Sequence, residues 1–111
     1  MTFADRVKQW LGAPGGAAAA VAGAGVTPIA ACEPRARVHV GGVVERTGTD
    51  PRTGWFEVTI RDTTGTLTLI WMGRDGITAL VEGDGVVASG RLAERDGKRV
   101  LYHPAFSVLP A

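Results

Sequence analysis

From Trp55 to Gly73, on either side of a short turn, the chain alternates between two sets of positions, one of them wholly apolar. Phe56, Val58 and Ile60 alternate with Glu57, Thr59 and Arg61, and after Asp62-Thr63-Thr64-Gly65 the apolar set Leu67, Leu69 and Trp71 alternates with Thr66, Thr68, Ile70 and Met72. A period of two describes a pleated strand with one buried and one solvent-facing side. The stretch therefore predicts an antiparallel hairpin, with Trp71 in core register and Ile70 and Met72 outward. Asp62 is placed to cap the turn backbone, and Gly65 is free to take a positive φ.

The same pattern recurs on both sides. Between Arg37 and Thr47, Val38, Val40 and Val44 share one face, and Gly41-Gly42 falls where a strand must curl or let another backbone approach. Gly48 to Gly54 is a loop with Asp-Pro and Thr-Gly signals. Arg74 to Glu82 has Ile77, Leu80 and Val81 at helical spacing, and Gly83-Asp84-Gly85 ends it. Val86 to Glu94 and Arg99 to Leu109 are the last two strands, joined by a turn centred on Asp96-Gly97. Pro104 interrupts the final strand and sets Tyr102 and Phe106 on opposite faces. Five short strands, a helix between the third and fourth, and a glycine-kinked first strand match an all-β, five-stranded Greek-key barrel, the OB-fold. A five-stranded sandwich or an SH3-like barrel is the alternative architecture.

The N-terminal part differs in kind, which divides the chain into residues 1–33 and an OB-fold domain over 34–111. Phe3, Val7, Trp10 and Leu11 predict a short amphipathic helix over residues 2–11. From Gly12 to Gly25 the chain is nearly all Gly and Ala, with little apolar area to offset the entropy of ordering, so a flexible tether is expected. Ile29-Ala30-Ala31-Cys32 has the form of a lipoprotein cleavage box. The compact apolar segment an export signal needs is missing before it, which favours a cytoplasmic chain.

Composition narrows the function. Of 111 residues, 12 are Lys or Arg and 11 Asp or Glu, so no large net field draws in nucleic acid or an anionic membrane, and any basic site must come from local clustering. The single Cys32 excludes an intramolecular disulfide. No apolar run reaches the roughly 18 residues that span a bilayer.

One pattern resembles known families. It runs Val-x-Val-x-Gly-x-Val in the first strand, Arg61-Asp62-x-Thr64-Gly65-x-Leu67-x-Leu69-x-Trp71 in the hairpin, Gly83-Asp84-x-Val86 with Gly90-Arg91 after it, and His103-Pro104-x-Phe106-x-Val108-Leu109 at the end. This is similar to the nucleic-acid-binding OB domains of anticodon-binding synthetases and of the wedge domain of branch-migration helicases. With Thr27-Pro28-Ile29 and Trp71-Met72-Gly73-Arg74 it most resembles small stand-alone OB-fold proteins of actinobacteria. The resemblance spans about residues 26–109 and implies nucleic-acid binding, without assigning a catalytic or base-reading residue. Phe106 stands where the commoner ending has Tyr.

In an OB-fold the ligand groove crosses strands two and three, between the loops joining strands one to two and four to five. Mapped onto this chain, the expected nucleic-acid-binding residues are Arg37 and His39 from strand one, Thr59 and Arg61 from strand two, Thr68 from strand three, Arg74 after it, Arg52 and Trp55 beside the first loop, and Lys98 and Arg99 beside the last. Trp55 either stacks on a base or packs over the barrel mouth. Ile70 and Met72 suit bases, a protein partner or the N-terminal helix equally. Arg95 and Lys98 flank a turn, where charge often only keeps a chain solvated. Glu45 and Glu57 near the same face oppose phosphate.

Catalysis finds no support: the two histidines, His39 and His103, lie on different strands, and no Ser or Cys sits in a nucleophile motif. No metal-ligand spacing and no phosphate-cradling loop is present, so no cofactor is expected. The expected function is that of a non-enzymatic OB-fold module binding single-stranded DNA or RNA with little sequence preference. A protein-interaction adaptor is the alternative, and no membrane association is expected.

Overall fold

The computed structural model describes residues 16–73 and 80–110. Seven strands form one sheet: β1 (Arg37–Thr49), β2 (Phe56–Arg61), β3 (Thr66–Trp71), β4 (Gly85–Arg91), β5 (Ala93–Arg95), β6 (Lys98–Tyr102) and β7 (Ala105–Leu109). Their order is β5-β6-β3-β2-β1-β4-β7, with β3–β6 parallel and the other pairs antiparallel. The long β1 pairs with β4 along its first half and with β2 along its second, changing partner around Val43.

Five strands and a closed barrel were expected; the sheet has seven and is not closed, because each of the last two predicted strands breaks in two. Leu92 turns into the core and donates its N–H to Ala36 O at 2.9 Å, leaving the ladder between β4 and β5. His103 takes φ +48° and Pro104 has no N–H, which separates β6 from β7. The four pieces are the two arms of one bent hairpin. Its tip is the predicted Asp-Gly turn, with Asp96 at φ +52° and Gly97 at +75° between paired Arg95 and Lys98.

The central hairpin keeps its predicted register. Phe56, Val58, Ile60, Leu67, Leu69 and Trp71 are buried together with Val40, Val44, Val86, Leu92 and Leu101. Ile70 departs from the expectation of an outward apolar residue: it is only 1% exposed. It sits opposite Glu57 on one side and Tyr102 on the other, so neighbouring strands cover it. Met72, two residues later, is exposed. Phe106 packs on the core against Trp71 at 5.4 Å between ring centroids, whereas Tyr102 meets Trp55 edge-on at 6.4 Å, so the two aromatics do lie on opposite faces. The predicted 2–11 helix and residues 74–79 of the predicted 74–82 helix lie outside the described residues. Leu80 to Glu82 are not helical.

The tether reading is corrected from Gly16 onward. Gly16–Ala22 is helix α1, and it lies against β1 and β4 with Val21 buried. Alanine has the highest helix propensity, yet a seven-residue helix is unstable alone, so docking must hold it. Close approach supplies what apolar area does not. A Cβ on Gly41 would lie 2.9 Å from Val21 Cγ1, and one on Gly85 would lie 2.9 Å from Ala17 O. Further on, a 3-10 turn over Ile29–Ala31 drives Ile29 into the core, fully buried. Burial of such a side chain is worth about 1.5–3 kcal/mol.

Asp62 clamps this segment to the hairpin. Its carboxylate accepts the Ile29 N–H at 2.8 Å, the Thr64 N–H at 2.7 Å, the Thr64 hydroxyl at 2.6 Å and the Gly65 N–H at 3.0 Å. The predicted cap is present, and with the turn so held Gly65 does not use the left-handed conformation open to it. Asp62→Ala strips an acceptor from three backbone donors, and a loss of about 2 kcal/mol in urea unfolding is expected. An unchanged midpoint would dissociate the clamp from stability.

Cys32 is buried, with its thiol 3.5 Å from Pro28 O. Burial raises its pKa above 9.0, opposed by Arg99 and reinforced by Asp62. The folded thiol thus keeps its proton at a pH where the unfolded thiol has begun to ionise, so its contribution to stability is present below that range and falls as pH rises through it. Native Cys32 should react with iodoacetamide at least about tenfold more slowly than in the unfolded chain; equal rates would show the site to be open.

Candidate nucleic-acid interface

The outward face of β2 and β3 is a groove. Its larger hollow, about 750 Å³, is walled by Glu45, Arg46, Thr59, Arg61, Thr66, Thr68, Glu82, Lys98 and Arg99. The adjoining smaller one, about 170 Å³, shares Arg46, Thr59, Thr68 and Lys98 and adds Asp50, Arg52, Glu57, Ile70 and Arg95. Thr59 and Thr68 are directly opposite each other in the β2–β3 ladder, which sets their hydroxyls side by side on the floor.

Of the ten expected residues, Thr59, Arg61, Thr68, Lys98 and Arg99 line the larger hollow and Arg52 the smaller. Trp55 stands beside it: the Arg95 guanidinium lies 4.8 Å over its ring, and Tyr102 meets its edge. One face of Trp55 is therefore already occupied by a cation. Arg37 and His39 are elsewhere, on the half of β1 that pairs with β4, where His39 Nδ1 lies 2.6 Å from Ser89 Oγ. Arg74 lies outside the described residues.

Arg46 is a groove residue that alternation conceals. Counted from Val38, Val40 and Val44, position 46 falls on the inner face. A bulge between Val44 and Arg46 inserts Glu45, pairs Arg46 with Thr59 and brings both onto the groove side. No signal in the sequence marks the bulge.

Charge in the groove is mixed. The larger hollow carries four cations, Arg46, Arg61, Lys98 and Arg99, against the carboxylates of Glu45 and Glu82. Arg61 is held by Glu45, with both Nε and Nη2 3.3 Å from Oε1. Arg95 lies 3.9 Å from Glu57, and Arg52 3.8 Å from Asp50. These pairs are partly open to water, so they orient the guanidinium groups more than they stabilise the fold.

No protein-family model and no curated protein sequence matches the chain. Solved structures do. A murine DNA-binding protein bound with double-stranded DNA matches with TM-score 0.60 and 19% identity, over 78% of this chain and 49% of that one. The fold is an OB-fold. The Stn1-Ten1 complex of S. pombe matches this OB domain at TM-score 0.56 and 16% identity, over 68% of the domain's chain and 59% of its own. Asparaginyl-tRNA synthetase from Pyrococcus horikoshii matches at TM-score 0.56 and 17% identity, over 70% and 20%. The OB domain thus spans about half of the first protein and a fifth of the synthetase. At these identities the likeness is one of fold. A synthetase of the kind the sequence pattern resembles is among the neighbours.

Proposed function

We propose that this OB domain is a cytoplasmic, non-catalytic module that binds single-stranded DNA or RNA along the β2–β3 groove with little sequence preference. The observation that carries the reading is the convergence of Arg46, Arg61, Lys98 and Arg99 with Thr59, Thr66 and Thr68 on one open hollow. Guanidinium and hydroxyl groups donate to phosphate and sugar, which positions a strand without reading its bases. Discrimination of bases commonly uses Asn or Gln amides, and the chain has no Asn and only Gln9. Trp55 and Tyr102 at the groove end offer aromatic surface for stacking, worth about 1–3 kcal/mol per base.

Fluorescence-anisotropy titration of labelled pyrimidine DNA and RNA, about 15 nucleotides long, tests this at several salt concentrations. Micromolar affinity that falls as salt rises is expected. Replacing Arg61 and Arg99 together by Ala should weaken binding about tenfold or more, with the unfolding midpoint nearly unchanged. Glu45→Gln, which frees Arg61, should tighten binding several-fold. Absence of binding at low salt would overturn the reading and favour a protein partner, for which exposed Val108 on the end strand β7 is the supporting observation.

A further inference from the structure

We propose that a strand bound in the groove continues past Tyr102 onto a second basic hollow flanked by Arg35, Arg37 and Arg91, which holds the backbone phosphates of its outgoing end. The proposal rests on the groove reading above. It concerns a surface outside that groove.

The second hollow, about 590 Å³, opens between Pro34-Arg35 and Arg91 to Glu94 and closes on Tyr102. Its connection to the groove runs through two contacts among three side chains, one cationic and one aromatic. Arg95 lines the groove and covers Trp55, Trp55 meets the Tyr102 ring, and Tyr102 lines the second hollow. A strand following this ridge finds ring surface on the way.

The charges here are arranged unlike those in the groove. Arg52, Arg61 and Arg95 each have a carboxylate within 4.0 Å; among the described residues Arg35, Arg37 and Arg91 have none. Glu94 is the one carboxylate lining the hollow. Arg37 and Arg91 are directly opposite in the β1–β4 ladder, a like-charge juxtaposition that is unfavourable in the absence of an anion. Arg35 takes φ +71°, a left-handed conformation unfavourable for a residue with a side chain. Two hydrogen bonds hold it there: its N–H donates to Leu92 O at 2.8 Å, and its carbonyl accepts from Arg91 Nη1 at 3.0 Å. All three side chains are exposed. Three exposed guanidinium groups without a carboxylate partner, two of them directly opposite in the ladder, fit a polyanion, and their continuity with the groove identifies it as the same strand's backbone.

The test compares labelled thymidine oligomers of about 6 and about 20 nucleotides, within and beyond the span of one OB groove, on the full chain. Arg35→Gly, which suits the backbone angle, combined with Arg37→Ala should leave short-oligomer affinity within about twofold. It should weaken the long oligomer about five- to tenfold and lower its log-log salt slope by about 1.4, the loss of two phosphate contacts. Arg37→Glu alone, at an exposed strand position, serves as the second variant should the double one be unstable. Lys98→Ala with Arg99→Ala should weaken both lengths. Equal weakening of both oligomers by the Arg35/Arg37 variant, or no change in either, overturns the extension alone. Failure of the unsubstituted protein to bind either length removes the groove reading and the extension with it.

Discussion

Gly42→Ala should cost about 3 kcal/mol, the upper part of the range for forcing extra volume into a packed site. Next to Gly42, at Val43, β1 passes from its partner β4 to its partner β2, and the strand curls so tightly that the next backbone occupies the space a side chain on Gly42 would need. A Cβ there would lie 2.8 Å from Arg61 O and 3.0 Å from both Arg61 C and N. Backbone atoms in a hydrogen-bonded ladder cannot rotate aside, so β1 and β2 must separate. Arg61 would move with them, and the groove with Arg61. Gly48→Ala on the same strand is the control: nothing lies within 4 Å of a Cβ there, and a change within about 0.5 kcal/mol is expected in urea unfolding. If the two substitutions proved equally mild, the close approach at Gly42 would not exist.

Trp71→Ala should remove about 3–5 kcal/mol, the cost of deleting a buried aromatic. Trp71 ends β3 at 3% exposure and packs against Phe56 across the hairpin, at 6.2 Å, and against Phe106 from β7, at 5.4 Å. It therefore joins the central hairpin to the end strand of the sheet, and the cavity left by alanine would open between elements far apart in sequence. Urea unfolding followed by circular dichroism measures the loss. Met72→Ala, at the exposed neighbour, should change stability by less than about 0.5 kcal/mol. A stable Trp71 variant would mean that the strand has the opposite register.

Local chemistry alone determined much of this protein. Alternation over Phe56–Ile60 and Leu67–Trp71 set which face is buried, because a strand's side chains alternate whatever lies beyond it. Asp62 and Asp96-Gly97 set both tight turns, since cap and φ preferences act within a few residues. Thr59, Arg61 and Thr68 were legible as one face by the same alternation, and Lys98 and Arg99 by their place beside the Asp-Gly turn. What tertiary structure decided depends on contacts between distant segments. Within the Gly/Ala stretch Gly16–Ala22 is a helix because Gly41 and Gly85 leave room for it, which no composition of residues 12–25 reveals. Ile70 is buried by strands on both sides, and Arg46 reaches the groove through a bulge. Arg37 and His39 lie away from the groove because β1 exchanges one partner for another midway along its length, and a periodic pattern records neither partner nor curl.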